Sequence, residues 1–254
     1  LTKDYSTYSV YMKIIKINAT ESTNSFLKPY LKSTDKNTIV AVKALRQTHG
    51  RGQVGTTWQS EDNKNLIASY LLPDIDLKPE ESFNISILTS LALQQCLKDF
   101  NIPNIEIKWP NDILSCKKKV AGILIENTYS SRYISNTIIG IGLNVNQQEF
   151  ENLPQASSLS QTCLHEFSVD AIFEQLNSRI EKVYQKLKKR DFRNCSTDYY
   201  QNLMGYQKDQ EFVLPNGQHR TGQITSIEPN GHLNVKFDDQ TVASFNLKEI
   251  KQVY

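Results

Sequence analysis

Apolar residues follow two different periods along this chain. Residues 10–17 are rich in β-branched and aromatic side chains, and 38–45 and 65–72 are short, nearly continuous apolar runs of the kind that form buried strands. Helical spacing governs 80–100, where Ile85, Leu88, Ala92 and Cys96 share one face, with Leu93, Leu97 and Phe100 beside it. It returns at 169–187, with apolar side chains at 169, 172, 173, 176, 180, 183, 184 and 187. Between these helices, 105–109 reads as a strand stopped by Pro110. Residues 112–115 and 120–127 read as a hairpin turning at Cys116, Lys117 and Lys118, and 133–146 as a long strand. Ser22, Thr23 and Asn24 precede a short amphipathic stretch at 26–31, and their side-chain oxygens are suited to capping a helix there. After Gly205 four short strands follow closely (211–214, 221–227, 233–237, 241–245), separated by Pro-Asn-Gly, Pro-Asn-Gly and Asp-Asp turn signals. The pattern predicts a mixed α/β unit over 1–204 and a small β-barrel over 205–254.

Composition narrows the class. The 254 residues are 39% hydrophobic and 22% charged, which suits a folded core and excludes a disordered or collagen-like chain. Lys and Arg number 29 against 27 Asp and Glu, so no global cationic field points to nucleic acid. No window approaches the roughly 18 uninterrupted apolar residues of a membrane span. The N-terminal segment LTKDYSTYSVYMKIIKI lacks the apolar stretch of a secretion signal. Four widely spaced cysteines (Cys96, Cys116, Cys163, Cys195) without a CxxC pair read as reduced, buried thiols in a cytoplasm. The four histidines show no zinc-ligand spacing, and no GxSxG elbow is present.

Candidate chemistry gathers in four segments. The loop 46–58 places Gly50, Arg51, Gly52 and Gly55 close together, so its amides can cradle phosphate oxygens beside a cation; a flexible connector is the plainer reading. It matches neither the P-loop nor the GxGxxG pattern. Lys108-Trp109-Pro110-Asn111-Asp112 puts an amide and a carboxylate at a strand end, or makes an ordinary turn. Lys119 opens the apolar strand Val120-Ala121-Gly122-Ile123-Leu124-Ile125-Glu126, and strict alternation puts it on the face of Ala121, Ile123 and Ile125. A cation beside an apolar sheet can hold a carboxylate or a developing phosphate charge. Gly140, Gly142 and Asn144 alternate through a further strand end, where glycines signal close approach of a ligand or another backbone.

In this order and at this spacing, Glu21-Ser22-Thr23-Asn24, Gln47 through Trp58, Lys108 through Asp112, Lys119 through Glu126, Gly140 through Asn144 and Leu153-Pro154-Gln155-Ala156-Ser157-Ser158-Leu159 resemble the biotin protein ligases. The resemblance implies an α+β fold, a mixed sheet flanked by helices of the class II aminoacyl-tRNA-synthetase-like, biotin/lipoate ligase kind, followed by the small barrel. It implies biotin and Mg2+-bound ATP as substrates, a biotinyl-adenylate intermediate, and transfer to a lysine on the biotin carboxyl carrier domain of a biotin-dependent carboxylase. About ten residues precede the first strand, so the expected form is the short one without a DNA-binding domain. No membrane partner is implied, and a homodimer through the sheet is among the assemblies that the family forms.

The resemblance also carries roles. Ser22, Thr23 and Gln47 would hydrogen-bond the ureido head of biotin, with Asn24 and Trp58 in the same binding set. Gly50, Arg51 and Gly52 would wrap the adenylate, and Lys119 would stabilise charge in the first step. Asn111 would orient the nucleotide, and Asp112 would position or deprotonate the acceptor lysine. Gly122, Gly142 and Asn144 would line the pocket, and 147–160 would be a mobile loop over adenine. Where the family often has Arg after Gly-Arg-Gly this chain has Gln53, which is assigned no catalytic role. Lipoate ligases and octanoyl transferases of the same superfamily, and a non-catalytic biotin or nucleotide sensor, are the competing readings.

Overall fold

The computed structural model describes residues 10–53 and 55–254. Residues 1–9 of the segment read for a secretion signal, and Val54 of the glycine loop, lie outside the described residues. Seven strands form the larger sheet: β1 (Tyr11–Thr20), β2 (Thr38–Gln47), β3 (Leu66–Leu72), β4 (Ile105–Lys108), β5 (Asp112–Ser115), β6 (Lys118–Ser130) and β7 (Tyr133–Leu143). Their order is β1-β2-β3-β7-β6-β5-β4. Only β1 and β2 run parallel among the paired strands, so the sheet is mixed. Five helices accompany it: α1 (Thr23–Leu27), α2 (Phe83–Asp99), α3 (Leu159–Cys163), α4 (Val169–Lys189) and α5 (Cys195–Asn202). No helix among the described residues is long and apolar enough to cross a membrane.

Period-two alternation gives the sheet two unlike faces. One face, under α2 and α4, carries Ile139, Ile141 and Leu143 of β7 with Ala121 and Ile123 of β6 in one large apolar cluster. Helix α4 turns Ile172, Phe173, Leu176, Ile180, Val183, Tyr184 and Leu187 to that cluster, as its spacing predicts. The Ser168 hydroxyl accepts from the Ala171 N–H at its start, and Lys186, Lys188 and Lys189 face the negative end of its dipole. The opposite face packs α1 on a smaller cluster of Leu27, Val40, Val42, Leu71 and Ile138.

A second, antiparallel sheet comprises β8 (Gln210–Val213), β9 (His219–Ile227), β10 (Leu233–Phe237), β11 (Val242–Phe245) and β12 (Lys251–Gln252), in the order β11-β10-β9-β8-β12. The expected strands are present, but among the described residues no ladder joins β11 to β12, so the sheet is open rather than a closed barrel. Its Phe212, Ile224, Leu233, Val235, Phe237 and Ile250 belong to the same apolar cluster as α2 and α4. Trp109 Nε1 donates to the Gly231 carbonyl at 3.0 Å, and the Met204 N–H donates to the Ile107 carbonyl at 2.8 Å. The first bond ties the β9–β10 turn to the β4–β5 turn, and the second ties the segment after α5 to β4.

Three local expectations are corrected. Helix α1 begins at Thr23, before the stretch 26–31, and Ser22 at its start makes no side-chain cap; the side chains of Thr23 and Asn24 turn to the sheet instead. Cys96 and Cys195 are buried and Cys163 is half-buried, but Cys116 is exposed; all four are free thiols. The largest correction concerns Lys119. Ile113 pairs with Ala121 while Leu114 pairs with Lys119, so Val120 is an extra residue in β6. This bulge breaks the alternation and moves Lys119 to the face of Gly122, away from Ala121 and Ile123.

Candidate functional site

A cleft of about 530 Å³ opens on the α1 side of the larger sheet. Its floor is made by the backbone of β6 and β7, where Gly122 pairs with Gly142 and Leu124 with Gly140. The missing side chains are filled by neighbours. A Cβ on Gly142 would collide with the Trp58 indole, and one on Gly140 with the Asn24 side chain. Trp58 thus lies flat on the strands, and its indole N–H is buried without a partner. The glycine signal in β7 therefore marks close approach by two other side chains of the cleft.

The buried end of the cleft is polar. Ser22, Thr23 and Asn24 sit there almost wholly buried, on the first turn of α1. The Thr23 N–H donates to Gln47 Oε1 at 2.8 Å, and the Thr23 hydroxyl lies 3.2 Å from the same oxygen. Asn24 Nδ2 donates to Glu126 Oε2 at 2.7 Å, and Arg51 Nη2 donates to that oxygen at 2.9 Å. Burial alone would raise the Glu126 pKa, but these bonds from Asn24 and Arg51, with Lys28 nearby, hold it below the usual glutamate value.

The glycine loop is braced as a narrow hairpin. The Trp58 N–H donates to the Gly50 carbonyl and the Gly52 N–H to the Thr56 carbonyl, each at 2.9 Å. Across the cleft, Lys119 Nζ lies 2.6 Å from Asp112 Oδ1 and 5.7 Å from the Trp58 ring centre. The Asp112 oxygen is buried and has no aligned donor, so this contact is one of charge rather than a well-directed hydrogen bond. Asn111 is clamped to β6: its Nδ2 donates to the Ile123 carbonyl at 2.8 Å, and its carbonyl accepts from the Ile123 N–H at 2.9 Å. The segment before α3 runs beside Lys119, whose N–H donates to the Gln155 carbonyl at 2.7 Å and whose carbonyl accepts from the Ser157 N–H at 3.0 Å. Leu153 of that segment lines the cleft.

The structure brings together Ser22, Thr23, Asn24, Gln47, Arg51, Gly52, Trp58, Asn111, Asp112, Lys119, Gly122 and Gly142 around this one cleft. Gly50 and Asn144 stand back from it. Gly50 braces Trp58, while Asn144 donates through Nδ2 to the Ser157 carbonyl and so anchors the segment that flanks Lys119. Gln53 also lines the cleft.

Lining residues that the sequence did not flag come from the second sheet and its neighbours: Leu233, Lys248, Ile250, Lys251 and Gln252. Nothing in their local sequence marks them, because the docking of the small sheet, not a motif, brings them near. Lys108 also lines the cleft, its ammonium 4.8 Å from the Tyr254 ring centre. Burial pushes Lys108 below the usual lysine pKa, with Lys119 and Lys251 adding to the effect and Asp112 opposing it. Burial, with the Asp112 charge, pushes Tyr254 up to about 12. Arg51, Lys108, Lys119, Lys248 and Lys251 thus line a cleft whose own lining holds one carboxylate, Asp112, with Glu126 behind it against Arg51; this excess of positive charge makes the cleft a receiver of anions. None of the four cysteines lines it.

The model of the biotin/lipoate A/B protein ligase family matches residues 17–144, which contain most of these lining residues. The chain belongs to that family. It is 34% identical over 151 residues to the bifunctional ligase/repressor BirA of Bacillus subtilis, a match covering 57% of this chain and 45% of that protein. The chain therefore aligns with less than half of the Bacillus protein. It is 28% identical over 231 residues to the biotin–[acetyl-CoA-carboxylase] ligase of Mycobacterium tuberculosis, covering 88% of this chain and 83% of that one. Among solved structures, the biotin protein ligase of Aquifex aeolicus in complex with biotin and ATP shares the fold. The TM-score is 0.74 at 24% identity, over 95% of this chain and 98% of the other.

Proposed function

We propose that the protein is an ATP-dependent ligase that activates biotin and transfers it to a lysine of a biotin carboxyl carrier domain. The observation that carries this reading is one cleft with a neutral polar pocket at its buried end and a cationic rim. The pocket suits an uncharged cyclic head group, and Arg51 and Lys119 suit the acid group and the phosphate it must meet. A volume of about 530 Å³ is ample for a small acid with a nucleotide.

In the first step the biotin carboxylate attacks the α-phosphorus of ATP, forming the acyl-phosphate bond and releasing pyrophosphate. Two anions approach, so fixed cations lower the barrier. Lys119 stands where it can neutralise charge on both, and Arg51 approaches from the glycine loop. Lys108, Lys248 and Lys251 offer further positive charge for the leaving pyrophosphate. In the second step a carrier lysine amine attacks the acyl carbon and releases AMP, and Asp112 is the carboxylate placed to orient that amine or take its proton. The glycine loop and Leu153 shelter the mixed anhydride from water. Mg2+ would arrive on the triphosphate, and Asp112 is the carboxylate that lines the cleft beside it. A thioester route, as in cysteine-dependent transferases, has no thiol in the cleft to support it.

The test is biotin-dependent exchange of labelled pyrophosphate into ATP, followed by mass spectrometry of a carrier domain offered biotin or lipoate. Exchange and a biotin mass shift are expected. A lipoate shift would favour the lipoate ligases, and biotin binding without exchange would favour a sensor. Asp112→Ala is expected to slow carrier transfer more than exchange; equal loss in both steps would remove the role given to Asp112.

A further inference from the structure

A chain of hydrogen bonds joins the buried pocket to the glycine loop through two residues that do not line the cleft. Ser69, wholly buried in β3, has its hydroxyl oxygen 2.8 Å from Thr23 Oγ1 and 2.6 Å from Asn24 Oδ1. Asn24 Nδ2 continues to Glu126, which also receives Arg51. Ser69 sits opposite Gly140 in the register of β3 and β7, where the absence of a side chain admits Asn24.

Proton bookkeeping gives this path a direction. Gln47 receives the backbone N–H of Thr23, which can only donate, so the oxygen of the Gln47 amide faces Thr23 and its nitrogen is left for a ligand. Asn24 donates to a carboxylate, so its own oxygen faces Ser69 and takes the single hydroxyl proton of Ser69. The Thr23 proton is then directed toward Ser69 or Gln47. The pocket thus lines its buried end with an amide, Gln47, and a hydroxyl, Thr23, whose orientations are both set by these bonds. A cyclic urea presents the complement, a carbonyl beside an N–H.

We propose that Ser69 and Glu126 are positioning residues: Ser69 fixes the donor and acceptor directions of the head-group pocket, Glu126 aims Arg51, and Asn24 links the two. The inference rests on the ligase reading and deepens it. Neither residue touches a reactant, so each acts on binding more than on chemistry.

Steady-state pyrophosphate exchange with Ser69→Ala, Glu126→Ala and the double variant tests this. Losing one buried hydrogen bond of this kind corresponds to about tenfold, so Ser69→Ala is expected to raise the biotin KM about tenfold, with the ATP KM within twofold of wild type. Glu126→Ala is expected to raise the ATP KM by about the same factor, with Glu126→Gln recovering part of it because the amide still accepts from Asn24 and Arg51. The biotin KM of the double variant should exceed that of Ser69→Ala by a smaller factor than Glu126→Ala alone raises it, since Asn24 is held by both residues. If Ser69→Ala fails to fold, Ser69→Cys, which keeps a weak donor, is expected to raise the biotin KM at least threefold. Lower melting temperatures with unchanged KM values, or multiplicative effects in the double variant, would overturn the proposal. An inert wild-type protein would instead remove the ligase reading, and this inference with it.

Discussion

The two faces of the seven-stranded sheet are built from the same strands and do opposite work. On β7, Ile139, Ile141 and Leu143 point into the cluster beneath α2 and α4, while Gly140 and Gly142, one residue along, face α1 and the cleft. The first face is filled by branched side chains and gains its stability from apolar area removed from water. The second gives up that gain: its glycines leave troughs, and Asn24 and the Trp58 indole occupy them. Adjacent positions on one strand therefore carry separable properties, stability on one side and recognition on the other.

This contrast breaks most sharply at Lys119, on the cleft face. Lys119→Ala is expected to raise the barrier to adenylate formation by about 2–4 kcal/mol, the range for removing one fixed charge-stabilising group. Biotin-dependent pyrophosphate exchange measures it, and a rate within threefold of wild type on folded protein would refute the assignment. Next comes Ile139→Ala on the core face, which should destabilise the fold by about 2–4 kcal/mol in denaturant titrations while leaving the biotin KM of the folded protein unchanged. A large KM change with intact stability would show that the two faces are not separable. The smallest effect concerns the Arg51–Glu126 pair. Because Glu126 is held below the ordinary value of roughly 4.3, its contribution is complete above that pH and disappears as pH falls through the lower folded value. Half-exposed pairs contribute on the order of 1 kcal/mol or less. The stability difference between wild type and Glu126→Gln should thus be present at neutral pH and vanish in strong acid; a difference that persisted there would count against the pairing.

Much of this site is legible in the primary structure because it is made of short segments with restricted chemistry. Gly-Arg-Gly, Trp-Pro-Asn-Asp and the alternating glycines of β7 each announce an unusual local requirement, and their order reinforces it. Helix α4 is legible for the same reason, since its stripe of apolar residues satisfies only one period. What escapes is whatever depends on register or on distant partners. The bulge at Val120 decides the face of Lys119, and neither Val120 nor its neighbours carry a bulge signal. Helix α1 starts early because Thr23 and Asn24 find partners on β2, β3 and β6, an outcome that capping chemistry alone does not anticipate.

The linear order of residues determined most of the strands and helices, the apolar stripes, the glycine loop and the small set of polar side chains able to meet two anions. Folding in three dimensions decided which of those side chains face one another. The β6 bulge put Lys119 beside Asp112, Ser69 closed the circuit from Thr23 to Asn24, and the open second sheet delivered Lys248 and Lys251 to the cleft. The physical reason is that local propensity acts over a few neighbouring residues, whereas electrostatic and hydrogen-bond complementarity depend on distances that only packing sets.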